Sequence, residues 1–184
     1  MWYSAKSIRW LSINGRHRGL IVVVVGVSAS GKSTLGAALA DALGWEFIEG
    51  DDFHPPGNVA KMRRGVPLDD ADRRPWLAEV NRRIVQVDAA GKDAVLACSA
   101  LTRRYRDVLR RGIRDIRFVY LCGDTALIRA RMRGRQGHFM PAGLLDSQIA
   151  TLEPPDNAVV VRIDLSTRQQ LAAVLQALAL DSDT

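Results

Sequence analysis

Gly26-Val-Ser-Ala-Ser-Gly-Lys-Ser33 follows the aliphatic run Leu20-Ile-Val-Val-Val-Val25 and leads into Thr34-Leu-Gly-Ala-Ala-Leu-Ala-Asp-Ala-Leu43. The octapeptide fits G-x-x-x-x-G-K-[ST], and its flanks read as a buried strand before it and a helix after it. A chain that wraps a phosphate must turn N–H groups inward, and glycine permits both the backbone angles and the close approach. A helix starting at Lys32 presents unsatisfied N–H groups and a positive dipole end to the anion. This assigns residues Gly26, Val27, Ser28, Ala29, Ser30, Gly31, Lys32, Ser33 and Thr34 to ATP binding. Lys32 is expected to reach the β and γ phosphates, and the Ser33 hydroxyl to ligate Mg²⁺.

Outward from this loop, further strand-like runs occupy Trp45–Glu49, Ala94–Cys98, Arg117–Cys122 and Ala158–Leu165. Helical spacing occupies Lys32–Leu43, Asp70–Ala89, Thr102–Arg111, Thr125–Arg133, Gly143–Thr151 and Thr167–Leu180. Strands alternating with helices predict an α/β fold: a three-layer sandwich around a five-stranded parallel sheet, because each parallel connection needs a crossover. Gly50–Gly57 and Gly134–Ala142 break the pattern and are dense in Gly, Pro, His or charge. Loops at strand ends are where sites in such folds lie.

The 184 residues suit one domain, residues 20–184, behind a basic extension of residues 1–19. The net charge of +6 comes mostly from that extension, which holds Lys6, Arg9, Arg16 and Arg18 and no acid. Without those four, 22 basic side chains face 20 acidic ones, which argues against a nucleic-acid partner. The extension reads as a segment without structure of its own, a basic targeting or contact segment, or a piece packed locally through Trp2, Tyr3 and Trp10. The chain holds two cysteines, Cys98 and Cys122, both in apolar runs, which suits buried thiols in a reduced, cytoplasmic protein. No stretch approaches the ~20 apolar residues of a membrane span.

The residues also separate a kinase from other phosphate-loop machines. No apolar strand ends clearly in Asp-Glu, and no guanine-selecting Asn-Lys-x-Asp occurs. Asp124, after the fourth strand, reads equally well as the cap of the next helix. On the acceptor side stands Glu49-Gly-Asp-Asp-Phe-His-Pro55. Glu49 and Asp51 have strand spacing, which would put both on one side: Asp51 suits a carboxylate that accepts a hydroxyl proton, and Glu49 one that holds Mg²⁺ through water.

Several short runs appear in a fixed order: Gly50-Asp-Asp-Phe-His-Pro55, Asn58-Val-Ala-Lys-Met62, Gly65-Val-Pro-Leu-Asp-Asp70, Asp72-Arg-Arg-Pro-Trp-Leu77, Cys98-Ser-Ala-Leu101, Tyr105-Arg-Asp107, Gly137-His-Phe-Met140 and Leu152-Glu153. With the phosphate loop, this set resembles the bacterial-type gluconokinases of the small P-loop family. The resemblance implies a nucleoside-monophosphate-kinase-like fold with a mobile lid. It also implies ATP-dependent phosphorylation of D-gluconate to 6-phosphogluconate, and a homodimer. The chain departs from the family pattern at Glu49, where relatives usually carry Asp, and at Thr102, where they usually carry a basic residue.

A sugar acid brings one carboxylate and five hydroxyls, so its pocket needs a cation and several hydrogen-bonding groups. Lys61, Arg103 and Arg106 are the candidate cations, and Ser99, His54 and His138 the candidate polar contacts. Arg131 and Arg135 lie one helical turn apart and are expected to stabilise charge on the transferring group, beside a lid at residues 134–142. Two rival readings remain: a shikimate-kinase-like enzyme, and a nucleic-acid-associated ATPase using the basic tail.

Overall fold

Ile21–Val25 forms strand β1, and each of its side chains is at most 2% exposed. A strand buried on both faces must lie inside a sheet with a layer on each side. In the computed structural model, which describes residues 19–134 and 142–180, β1 is the central strand. The other strands are β2 (Glu46–Glu49), β3 (Ala94–Ala97), β4 (Ile116–Cys122) and β5 (Val159–Arg162). Their order is β2-β3-β1-β4-β5, and all four pairings are parallel.

Alternate residues of β1 feed two separate cores. Val22 and Val24 join Leu35 and Leu39 of α1 (Lys32–Leu43) and Val174 and Leu178 of α7 (Thr167–Leu180). Ile21, Val23 and Val25 join Trp76, Val80 and Ile84 of α3 (Asp70–Ala89) and Leu109 of α4 (Arg103–Arg110). The period of two in a strand thus produces the three layers. The helices α2 (Pro56–Arg63), α5 (Thr125–Gly134) and α6 (Ala142–Thr151) complete the described elements.

The topology places the site. The chain leaves β1 for α1 on one face and leaves neighbouring β3 for α4 on the other. Connections that diverge from adjacent parallel strands open a crevice at their carboxyl ends.

The expected strands and helices are present, with shifted ends. The sheet entry of β2 comes one residue late, because the Trp45 N–H is spent on Ala40 O at the end of α1, 2.9 Å away. The segment Gly50–Gly57 is not irregular. Gly50–Phe53 is a 3-10 turn, and α2 begins at Pro56, where a missing N–H costs nothing. Gly19, grouped with the extension, is buried, and Leu20 N–H donates to Asp93 Oδ1 at 2.8 Å. Residues 1–18 and 135–141, the latter holding Arg135, His138 and most of the lid expected at 134–142, lie outside the described residues. Among the described residues no helix is long and apolar enough to cross a membrane.

The turn after β2 is wedged against β3. A Cβ on buried Gly50 would stand 2.6 Å from Ala97 O and 3.2 Å from Cys98 Cβ. The Trp76 indole also donates to Gly50 O at 2.7 Å. Gly50→Ala is therefore expected to cost about 1–3 kcal/mol, the range for overpacking a close-packed site. The check is a urea melt: the midpoint should fall with the slope unchanged, and an unmoved midpoint would mean that the turn yields freely.

Candidate active site

The loop between β1 and α1 adopts backbone angles that fit an anion cradle. Gly26 has φ 151° and Gly31 φ 102°, both closed to most side chains. A Cβ on Gly26 would lie 2.9 Å from Ser30 Oγ and 3.0 Å from Leu121 O, whereas one on Gly31 would meet nothing within 4 Å. The open side at Gly31 is the mouth of the cradle. No side chain caps the N-terminus of α1, so its dipole end is left for a ligand. Ala29 also has positive φ, 62°, a conformation that L side chains rarely adopt. Lys32 Nζ donates to Val27 O at 3.1 Å, folding the ammonium over the loop. Ser30 Oγ is buried without a hydrogen-bond partner. Together these features fit a nucleotide's phosphate chain.

Two clefts flank the loop. One lies on the side of the loop that faces the turn after β2. Its polar lining includes Ser28, Lys32, Asp51, His54, Arg73 and Ser99, and Gln148 and Ser147 enter from α6. The other is lined by Ala29, Ser30, Gly31 and Thr34, with Arg131, Leu165, Thr167 and Gln170 opposite. Arg131 holds that wall through Nη2 to Ile163 O at 2.6 Å. The geometry thus offers a donor cleft and an acceptor cleft on opposite sides of one phosphate loop.

Asp51 reaches the acceptor cleft through the 3-10 turn, not through strand spacing. Strand β2 ends at Glu49, opposite Ala97, and Glu49 does not line the cleft. Glu49, Asp51 and Lys32 all act electrostatically on Cys98 at the base of the site. Burial first, then Asp51, pushes the Cys98 thiol up to about 12, so it is inert.

His54 sits beside Asp51, with its side chain 5% exposed against 67% for Asp51. Its ring stacks on Trp76 at 4.2 Å and 16°. Burial pulls the imidazole below its ordinary pKa and Arg73 adds to this, while Asp51 opposes them. The ring therefore holds a second proton less readily than a free imidazole.

The expected cations are distributed differently. Lys61 lies 2.6 and 2.7 Å from the two carboxylate oxygens of Asp72, tying α2 to α3, and it does not line the cleft. Its hydrogen bond is the main reason that the Asp72 carboxyl is held below its usual range. Arg106 is 3% exposed and donates through Nη1 to Ala100 O and Leu101 O, both at 3.1 Å. It clamps the loop after β3, where Ala100 has φ 33°, and thereby holds Ser99 at the cleft. Arg103 is exposed in the first turn of α4, and its backbone N–H donates to Glu153 Oε2 at 2.6 Å. Thr102 caps the same helix, accepting from Tyr105 N–H at 3.2 Å. Asp124 is likewise a cap, accepting from Ala126 N–H at 2.7 Å.

Besides Lys32, the cation lining the cleft among the described residues is Arg73, which the sequence reading did not single out. Its guanidinium lies over the Tyr105 ring and donates to Tyr105 Oη at 3.3 Å. Tyr105 in turn donates to Asp70 Oδ1, which keeps the Asp70 carboxyl below its usual range. The signal was present in Asp72-Arg-Arg-Pro-Trp-Leu77, where a helix start brings charge to the same strand ends. Gln148 was also missed: its Oε1 accepts from Ser28 N–H at 2.7 Å, joining α6 to the phosphate loop.

For a metal, Ser33 and Thr34 expose hydroxyls in the first turn of α1. Among the described residues no cluster of three or more His, Cys, Asp or Glu would hold a cation. A divalent ion would therefore need ligands from the nucleotide as well.

Replacing Arg106 tests the clamp. Arg106→Met keeps much of the buried volume but removes both donors, and should destabilise the protein by about 1–3 kcal/mol per carbonyl left unpaired. A urea midpoint equal to that of the wild type would show that water or another donor substitutes.

Comparison with known proteins places this geometry. Residues 21–155 match a family model described as an AAA domain. A gluconokinase from Gluconobacter oxydans is 51% identical over 143 residues, spanning 77% of this chain and 80% of the relative. A probable gluconokinase from Rattus norvegicus is 44% identical over 179 residues, spanning 86% and 97%. The crystal structure of a gluconokinase from Sinorhizobium meliloti superposes with a TM-score of 0.81 at 43% identity, covering 91% of this chain and 95% of that one.

Proposed function

The chain belongs to the gluconokinase family, and from that membership we propose that it transfers the terminal phosphoryl group of ATP to the 6-hydroxyl of D-gluconate. One observation carries the reading beyond the family: Lys32, Asp51 and Arg73 line a single cleft beside the phosphate loop, while a second cleft opens on the loop's other side. A phosphoryl group bound between them needs only a short in-line displacement.

Each residue then has a distinct task. The loop N–H groups and the α1 dipole hold the phosphates, and Lys32 swings from Val27 O to the transferring group. Arg73 pairs with the gluconate carboxylate, and this contact orients the sugar acid with its far hydroxyl toward Asp51. Asp51 orients that hydroxyl and accepts its proton. Ser99 hydrogen-bonds the hydroxyls between, and the His54 ring stands beside Asp51. Arg131 lies on the nucleotide side and supplies positive charge to the phosphates. Mg²⁺ bound at Ser33, with Glu49 reached through water, would neutralise phosphate charge. Arg135 and His138 complete the proposal as lid residues, and a cytoplasmic homodimer is part of the same reading. The basic extension takes no part.

The rival reading, a nucleic-acid-associated ATPase, lacks support in the folded body, where Lys32 and Arg131 donate to backbone carbonyls, Arg73 to Tyr105 Oη, and Lys61 pairs with Asp72. Kinetics separate the roles. Lys32→Ala should leave thermal stability unchanged and nearly abolish transfer. Asp51→Asn should lower kcat by roughly 10²–10⁴-fold with ATP binding intact, the range for a positioned general base. Arg73→Met should instead raise KM for gluconate by roughly 10–100-fold, as loss of a charge-assisted hydrogen bond does. An Asp51→Asn enzyme with full kcat and lost ATP binding would move Asp51 to the nucleotide side and refute the assignment.

A further inference from the structure

Asn58 is 4% exposed in α2 and has no place in the roles above. Its Nδ2 donates to Asp72 O at 2.9 Å. A carbonyl oxygen only accepts, so the amide orientation is fixed: nitrogen faces Asp72. The same Nδ2 lies 3.4 Å from His54 Nδ1. Nδ2 is a donor only, so Nδ1 must accept, and the single proton of the neutral ring sits on Nε2. Nε2 faces Asp51 Oδ1 at 3.8 Å. Stacking on Trp76, itself pinned to Gly50 O, keeps the ring from turning over.

We propose that Asn58 is a positioning residue that sets the tautomer of His54, so that the imidazole presents Nε2–H to Asp51. The inference rests on the role given to Asp51 above. The separation of 3.8 Å exceeds a hydrogen bond, but the Asp51 carboxylate is exposed and free to rotate, and catalytic contacts in ligand-free enzymes tighten on binding. One Asp51 oxygen is then held by the ring, and the other is aimed at the acceptor hydroxyl. A neutral donor orients the carboxylate without the full positive charge that would weaken it as a base. The opposite tautomer would set a ring lone pair against the carboxylate. The sequence shows the device as His54 and Asn58, four residues apart across Pro55-Pro-Gly57.

The test is ¹⁵N spectroscopy of the imidazole nitrogens in the full chain at pH 7.5. The chain holds three histidines, and His54→Gln identifies the signals of His54 by their loss. The expected state is an unprotonated Nδ1 and a protonated Nε2. A proton on Nδ1, alone or in a doubly protonated ring, overturns the proposal. Kinetics with gluconate supply the second arm. His54→Gln carries an amide N–H to the place of Nε2 and should lose least kcat of the three His54 variants. His54→Asn is too short to do so, and His54→Phe keeps only the stacking. Both should lose roughly 10–100-fold in kcat with the KM for ATP unchanged, as loss of a hydrogen bond to a charged group predicts. Equal losses in all three variants would show that the donor has no role. Asn58→Asp should move the proton to Nδ1 and lower kcat, and a folded Asn58→Asp with the wild-type tautomer and rate would also overturn the proposal. Should that variant not fold, the wild-type tautomer and the His54 series still decide. Absence of any gluconate-dependent ADP release by the wild type is a separate failure, which removes the proposed substrate and leaves the tautomer measurement standing.

Discussion

The site depends on the turn by which buried β1 becomes α1 within six residues, Gly26 to Gly31. β1 is enclosed by strands on both edges and by helices on both faces, so its carboxyl end has no freedom to drift. The chain must reverse sharply there, with positive φ at Gly26, Ala29 and Gly31. That reversal turns the N–H groups inward and aims the start of α1 at whatever lies in the bend. The aliphatic core and the anion site are thus one constraint. A more loosely held strand would leave the loop unable to keep its N–H groups convergent without ligand.

The acceptor wall is a second assembly fixed to the first through α3. The amino end of that helix, capped reciprocally by Asp69 and Asp72, presents Lys61, Asn58, Gly50 and Tyr105 with partners within two turns. Asp72 takes part in three of these contacts at once: it closes the cap, pairs with Lys61 and offers its carbonyl to Asn58. Buried Trp76 gives one edge to the turn carrying Asp51 and one face to His54. Polar groups at such positions hold geometry more than they add stability, since each charge is offset by desolvation. Their consequence is functional: a carboxylate, an imidazole and a guanidinium kept in register with the phosphate loop.

Much of this was legible in the sequence because it rests on local rules. Ile21–Val25 and the octapeptide after it admit one reading, and α1 and α3 run between the residues that spacing and capping predict. Residues whose partners are distant in sequence were less legible. Lys61 looked like a free cation, because nothing local shows that Asp72, eleven residues on, binds it through both oxygens. Arg106 stood as a candidate cation for the sugar acid, yet its guanidinium turns inward to the carbonyls of Ala100 and Leu101. Arg73 was hidden among the charges of a helix start, and its direction is set by Tyr105, 32 residues away. Glu49 and Asp51 seemed to share a strand face, but the strand gives way to a 3-10 turn between them. The departures at Glu49 and Thr102 have plain local settings, the end of β2 and the cap of α4.

In the proposed arrangement a sugar acid is held by its carboxylate at Arg73 while its far hydroxyl meets the phosphoryl group near Asp51. The most direct measurement is ADP release from ATP with D-gluconate or with sorbitol, a polyol of the same chain length without the carboxylate. Release should follow gluconate concentration to saturation and stay near background with sorbitol. Equal rates with the two, or release that neither stimulates, would contradict that arrangement.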